Sequence, residues 1–260
     1  MTGVSDTAEA EKAHPDAPPV PSAWDIFRRP LPHQKGRPLT RLFIKGFLSL
    51  YRRRYVSIEG FEHITADCDP FILAANHSQR PEAILLPAAL FFHRAGKPVH
   101  FMADWNLKLV PGVAVVYRCG EIITVDRKPA KPKFLNVFRP MLTDKVSASK
   151  RAEERIKAGS SVAIFPEGTV NRDPHNLLKG HPGAAQLSMK TGAPVVPLGI
   201  RFPEVRADQK ISDHDRMSLH VGPPLNPPKS VRSSGRGALR EWHETIMKEI
   251  SRLSGKKMES

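Results

Sequence analysis

A chain of 260 residues with a formal net charge of +14 is long enough to bury one sizeable core, and its basicity calls for an acidic partner: nucleic acid, anionic lipid, a phosphorylated substrate or an acidic carrier protein. Two cysteines far apart in sequence, Cys68 and Cys119, argue against a disulfide scaffold and fit a reducing compartment. The N-terminus shows no basic-then-apolar signal pattern. The longest apolar stretch, Ala83 to Phe92, is about half the roughly 20 residues a bilayer span requires, so the expectation is a cytoplasmic protein that does not cross a membrane by itself.

Residues 1–38 hold seven of the 25 prolines and little apolar periodicity, and read as a flexible or surface-draped arm that Trp24, Ile26 and Phe27 pin in part. Residues 1–40 carry five basic and five acidic groups, so the whole positive excess lies beyond them. The segment 39–54 follows as a basic amphipathic helix. Phe43, Ile44, Phe47, Leu48 and Tyr51 share one face, and Arg52, Arg53 and Arg54 crowd its end. Two readings stay open: a helix in a membrane interface, with Phe43, Phe47 and the three arginines as contacts, or a helix packed on the domain with solvated arginines.

From Tyr55 onward, β-rich runs alternate with helical stretches. The runs are Tyr55 to Ile58, Phe71 to Ala75, Val99 to Met102, Ile122 to Val125, Val162 to Phe165, Val195 to Ile200 and Met217 to Val221. Helices are expected over Val146 to Ala158, closed by Gly159, and over Gly183 to Thr191, closed by Gly192. A prolyl connector from Pro223 to Pro228 precedes a last helix, Arg236 to Leu253, with Leu239, Trp242, Ile246, Ile250 and Leu253 on one stripe. This alternation predicts an α/β fold: a layered domain over residues 55–225 around a largely parallel central sheet flanked by helices, with residues 226–260 packed on it.

Three strand ends carry chemistry. The run ending at Ala75 delivers Asn76-His77-Ser78-Gln79-Arg80-Pro81-Glu82. Pro81 suits the first turn of a helix, and a carboxylate five positions after the histidine reaches back to one ring nitrogen, leaving the other free as a base. The bland reading is a helix-start glutamate beside an incidental histidine. The run ending at Val125 delivers Asp126 and Arg127, whose guanidinium matches two phosphate oxygens; alone it also fits an ordinary surface turn. The run ending at Phe165 delivers Pro166-Glu167-Gly168-Thr169, where Glu167 has a positioning role and Gly168 permits close approach. The apolar block Ala193 to Ile200 reads as core strand.

These four blocks, in this order over residues 40 to 225, resemble the glycerolipid acyltransferase family that includes 1-acylglycerol-3-phosphate acyltransferases, with its N-H-x-x-x-x-D, G-x-I-F-I-D-R, F-P-E-G-T-R and V-P signatures. The resemblance implies His77 as general base and Glu82 as its charge-stabilising partner. It implies an acceptor pocket lined by Arg127, Glu167, Gly168 and Thr169, and work at a membrane surface, here expected to be the cytoplasmic face of an anionic membrane; no cofactor is expected, and the histidines show no metal-ligand spacing. Two departures stand out: the family's aspartate is Glu82, and the arginine after Thr169 is Val170, which leaves Arg172 and Lys179 as the nearby phosphate ligands. The implied reaction moves an acyl group from acyl-CoA or acyl-carrier protein to a lysophospholipid, 1-acyl-sn-glycerol-3-phosphate first. Another lysolipid, such as lyso-ornithine lipid, is the alternative acceptor. Rival readings are a lipid hydrolase using the same pair on water, and an anionic-surface or nucleic-acid binding module. Basic residues not interleaved with aromatics speak against nucleic acid as a partner.

Overall fold

Burial of both faces is what makes the central runs strands. The computed structural model describes residues 21–109, 117–126, 129, 132–143, 146–228 and 236–258. In chain order the strands are β1 (Tyr55–Glu59), β2 (Ile72–Ala75), β3 (His100–Asp104), β4 (Ile123–Val125), β5 (Val162–Ile164), β6 (Asn176–Leu177), β7 (Val195–Arg201), β8 (Met217–Val221) and β9 (Lys257–Met258). Seven form one sheet in the order β1-β8-β7-β2-β5-β3-β4, parallel except where β8 runs against β7. All seven strands anticipated from the sequence are present. The mixed α/β layering with a largely parallel sheet is the observed fold.

Side-chain alternation along β2 divides the core into two layers. Leu73 and Ala75, with Val196 and Leu198 of β7, face one cluster. It is completed by Ile44 and Leu48 of helix α2 (Pro38–Tyr51) and by Leu85, Leu86 and Phe92 of helix α3 (Glu82–His93). Ile72 and Ala74, with Val162 and Val195, face the other cluster. Its helical cover is α4 (Ala148–Lys157), α5 (Gly183–Thr191) and α6 (Arg236–Ser254), through Ile156, Leu187, Trp242, Ile246 and Ile250. Each fully buried aliphatic side chain contributes about 1.5–3 kcal/mol of transfer free energy, so the two layers, rather than helix propensity, hold these helices in place.

The N-terminal arm departs from expectation over its described part. Residues Ala23–Arg28 form a short helix, α1, capped reciprocally by Ser22 and Asp25. Ile26 and Leu31 are buried in the first core layer, whereas Trp24 and Phe27, expected to pin the arm, are exposed. The helix period explains the difference, since only one of three neighbouring apolar residues faces inward. Buried Lys45 of α2 donates to the Phe27 carbonyl at 2.7 Å and joins arm to domain. Its burial, helped by the Arg41 charge, pushes the ammonium's pKa down.

The C-terminal stripe Trp242, Ile246, Ile250 and Leu253 is buried as its spacing requires. Gly199 of β7 makes this close: a Cβ there would lie 2.2 Å from the Leu253 carbonyl carbon and 2.3 Å from the Ser254 nitrogen, both backbone atoms. Gly255, at φ 72°, then turns the chain so that β9 pairs with β6, a strand pair with no periodicity to announce it.

Candidate active site

Parallel strands that share a direction end on the same side, and β2, β3, β4 and β5 all open into one cavity of about 1160 Å³. Phe101 to Asp104, Thr124 to Asp126 and Ile164 to Pro166 supply its strand-end walls, and His77 its polar centre.

His77 is fixed from four directions. Its backbone amide donates to Glu167 Oε1 at 3.0 Å, and its carbonyl accepts from the Asn171 amide at 2.7 Å. Its ring stacks on Phe165 with centroids 4.3 Å apart, and Nδ1 lies 2.7 Å from Glu82 Oε2. Nε2 is thus the ring nitrogen that Glu82 does not hold. The preceding Asn76 clasps β2 to β7: its side chain accepts from the Ile200 amide at 2.7 Å and donates to the Ile200 carbonyl at 3.0 Å.

Glu82 opens α3 and is completely buried. Its Oε2 also accepts the Ser78 amide at 2.8 Å, and its Oε1 accepts the Gln79 amide at 3.1 Å. Burial drives its pKa up, while the imidazole and the two amides pull it down, and burial prevails. The extra methylene relative to aspartate is taken up by the turn itself, because the same carboxylate that meets Nδ1 also ties down the two amides between them.

Glu167 is buried and does not line the cavity. Besides the His77 amide it accepts Asn171 Nδ2 at 2.8 Å and the Leu178 amide at 2.9 Å, both on Oε2. It therefore positions the histidine's backbone rather than presenting oxygens to a ligand. Gly168, at φ 66°, and Thr169 do line the cavity, and a Cβ on Gly168 would come within 3.0 Å of His181 Cδ2. Arg127 lies outside the described residues. Arg172 is engaged elsewhere, by Asp213 Oδ1 and the Ile211 carbonyl at 2.7 Å each, and Lys179 is exposed and off the cavity wall.

Of the two readings of the helix Pro38–Tyr51, the structure shows the face of Phe43, Ile44, Phe47 and Leu48 turned onto the domain. Phe43 and Phe47 are partly buried and pack on the core, leaving Leu39, Leu42 and Leu50 as its exposed apolar stripe. Arg54 is structural, with NH2 donating to Gln79 Oε1 and to the Asp213 and Asp215 carbonyls. Arg52 caps the Ser49 carbonyl, and Arg53 is exposed.

Some contributors carried no recognisable signal. Arg80 lines the cavity from a variable position inside the first motif. His181, outside every motif, lines it too. Phe134, Val137, Phe138 and Met141 are exposed in a segment tied beside the cavity wall, through Lys108 to the Leu142 carbonyl and through Arg139 to Asp126. Among the described residues no three His, Cys, Asp or Glu side chains gather as a metal would require, and no helix is long and apolar enough to cross a membrane.

Fold and cavity together are those of an α/β acyltransferase. The chain belongs to the Acyltransferase family, whose model matches residues 55–201. It is 25% identical over 175 residues to the chloroplastic 1-acyl-sn-glycerol-3-phosphate acyltransferase LPAT1 of Arabidopsis thaliana, covering 67% of this chain and 42% of that protein. It is 24% identical to the chloroplastic BAT2 of Brassica napus, also a 1-acyl-sn-glycerol-3-phosphate acyltransferase, over 67% of this chain and 44% of that one. The chain thus spans less than half the length of these curated relatives. The crystal structure of the 1-acyl-sn-glycerophosphate acyltransferase PlsC from Thermotoga maritima shares the fold, with a TM-score of 0.55 and 22% identity over 90% of this chain and 87% of that one.

Because all the hydrogen bonds to Glu167 come from donors, Glu167→Gln should destabilise the protein despite its matching shape. An amide NH₂ would face at least one donor, costing roughly 1–3 kcal/mol by denaturant unfolding. Unchanged stability would show that these bonds contribute nothing net.

Proposed function

We propose that the protein transfers a fatty acyl group from a thioester, acyl-CoA or acyl-carrier protein, to the hydroxyl of 1-acyl-sn-glycerol 3-phosphate, giving phosphatidate. The observation that carries this reading is the 2.7 Å contact of His77 with a wholly buried Glu82 at the mouth of a cavity built from strand ends. Both curated relatives carry that activity in their names.

In this mechanism Nε2 of His77 takes the proton of the acceptor hydroxyl as its oxygen attacks the thioester carbonyl. The C–S bond then breaks, the imidazolium returns its proton to the departing thiolate, and the new ester leaves with the acceptor. Glu82 fixes the tautomer and stabilises the imidazolium between the two proton transfers. The apolar wall of Phe101, Met102, Leu107, Ile164 and Leu187 takes an acyl chain. At about 1160 Å³ the space exceeds that of ordinary small-ligand pockets, roughly 300–1,000 Å³, as two lipid substrates require. Arg80, with the Thr169 hydroxyl, is the guanidinium we assign to the acceptor's phosphate. Val170 on the same wall, where the family carries arginine, favours a second reading in which another lysolipid is the acceptor.

The lipid surface is met beside the cavity by Phe134, Val137, Phe138 and Met141. The exposed Leu39, Leu42 and Leu50 of α2 add to this contact.

Purified protein should form phosphatidate from labelled oleoyl-CoA or acyl-carrier protein and lysophosphatidate. His77→Ala should lose at least about 100-fold in kcat with an unchanged circular dichroism spectrum. Retained turnover in that variant would refute the base assignment. Product only from another lysolipid would keep the chemistry and move the substrate, and fatty acid release independent of acceptor would indicate a hydrolase. Phe134→Ser combined with Phe138→Ser should weaken sedimentation with anionic vesicles by roughly tenfold or more, given about 1.5–3 kcal/mol per fully transferred aromatic side chain. Equal sedimentation would remove this segment from the membrane contact.

A further inference from the structure

The basic tail Ser254-Gly255-Lys256-Lys257-Met258 looks like a solvated terminus, yet Lys256 is only 3% exposed. Lysine is almost never buried without a partner. Its Nζ donates at 2.7 Å to the hydroxyl of Ser78, the residue after His77, which is itself fully buried and whose amide binds Glu82. The tail is held from both sides. Ser251 donates its hydroxyl to the Lys256 carbonyl at 2.5 Å. The Lys257 amide donates to the His175 carbonyl at 2.7 Å, and β9 pairs with β6 beside the Leu178 amide that binds Glu167. The tail therefore adjoins both motifs of the site, Lys256 through Ser78 and β9 through its pairing with β6.

The charges around it come from every element packed there. Glu82 belongs to α3, Glu167 and Asp173 to the segment after β5, and His77 to the end of β2. Arg54 stands beyond Gln79, already engaged with the Asp213 and Asp215 carbonyls. A wholly buried carboxylate such as Glu82 resists ionisation unless donors or a cation stand near it. Resting on the general-base reading of His77, we propose that Lys256 is a positioning residue for the dyad: its buried ammonium is the shared counter-charge of Glu82 and Glu167, and through Ser78 it keeps the Glu82 carboxylate ionised and aimed at His77 Nδ1. Burial lowers the lysine's own pKa, and the three carboxylates oppose that shift, which is the environment of a cation retained for its neighbours.

Lys256→Met keeps the unbranched apolar stem to Cε and removes the ammonium; Lys256→Arg keeps the charge. The first readout needs no activity. Losing the cation raises the pKa of a folded-state carboxylate, so the native state of Lys256→Met holds extra protons below that pKa and loses stability as pH rises through it. Its melting temperature should fall progressively below wild type as pH rises from about 4.3, the unfolded glutamate value, toward the raised folded value, while Lys256→Arg runs parallel to wild type. The second readout is the acidic limb of kcat, which should move to higher pH by about one unit in Lys256→Met and return in Lys256→Arg. A melting deficit constant across pH, or none, overturns the counter-charge. A deficit that grows with pH beside an unmoved acidic limb overturns the link to the dyad. Activity in His77→Ala would defeat the general-base reading instead, and the melting series would still decide the counter-charge.

Discussion

A carboxylate with no exposure to water is costly unless its oxygens are filled by donors, and the site is organised around meeting that condition at Glu82. The Ser78 and Gln79 amides and the imidazole Nδ1 all converge on it. The turn between β2 and α3 is therefore held by the same group that orients the base. Glu167 repeats the device from β5, gripping the histidine's amide and the Asn171 side chain. Between them the two buried acids fix the histidine's ring and backbone, which is what placing a proton acceptor to within tenths of an ångström demands.

The sheet makes this economical in sequence. Parallel pairing of β2 with β5 and β7 sets Ile72 opposite Val162 and Val195, so the motifs that follow β2 and β5 emerge side by side although far apart in the chain. Asn76 ties the end of β2 to Ile200 of β7 and prevents the histidine's strand from fraying into the cavity. The last helix then needs Gly199 in order to lie on β7, and its docking carries the tail to the back of the site.

What was legible in the sequence was what periodicity and motif spacing encode. Buried parallel strands read as short apolar runs, and His77 and Glu82 stood at the spacing that a single turn closes. The helix Pro38–Tyr51 and its face of Phe43, Ile44, Phe47 and Leu48 were legible, but whether that face met lipid or the domain was not, because only packing chooses between the two. Ile26 was rightly singled out in the proline-rich arm, but Leu31 was lost in it, because the arm's composition outweighed one more apolar contact. Arg54 read as a membrane contact and Arg172 as a phosphate ligand because sequence does not record the distant carbonyls and Asp213 that engage them. Lys256 was the least visible of all, since a lysine in a basic tail gives no sign of burial.

The tautomer of His77 is the most direct test of this account. Nitrogen-15 NMR of histidine-labelled protein at neutral pH, with His77→Ala to assign the signal, reports which ring nitrogen carries the proton. Glu82 at Nδ1 requires the proton on Nδ1 and a bare, basic Nε2 toward the cavity. A ring protonated on Nε2 alone would contradict it, because such a histidine has no free nitrogen with which to accept a proton from a substrate hydroxyl.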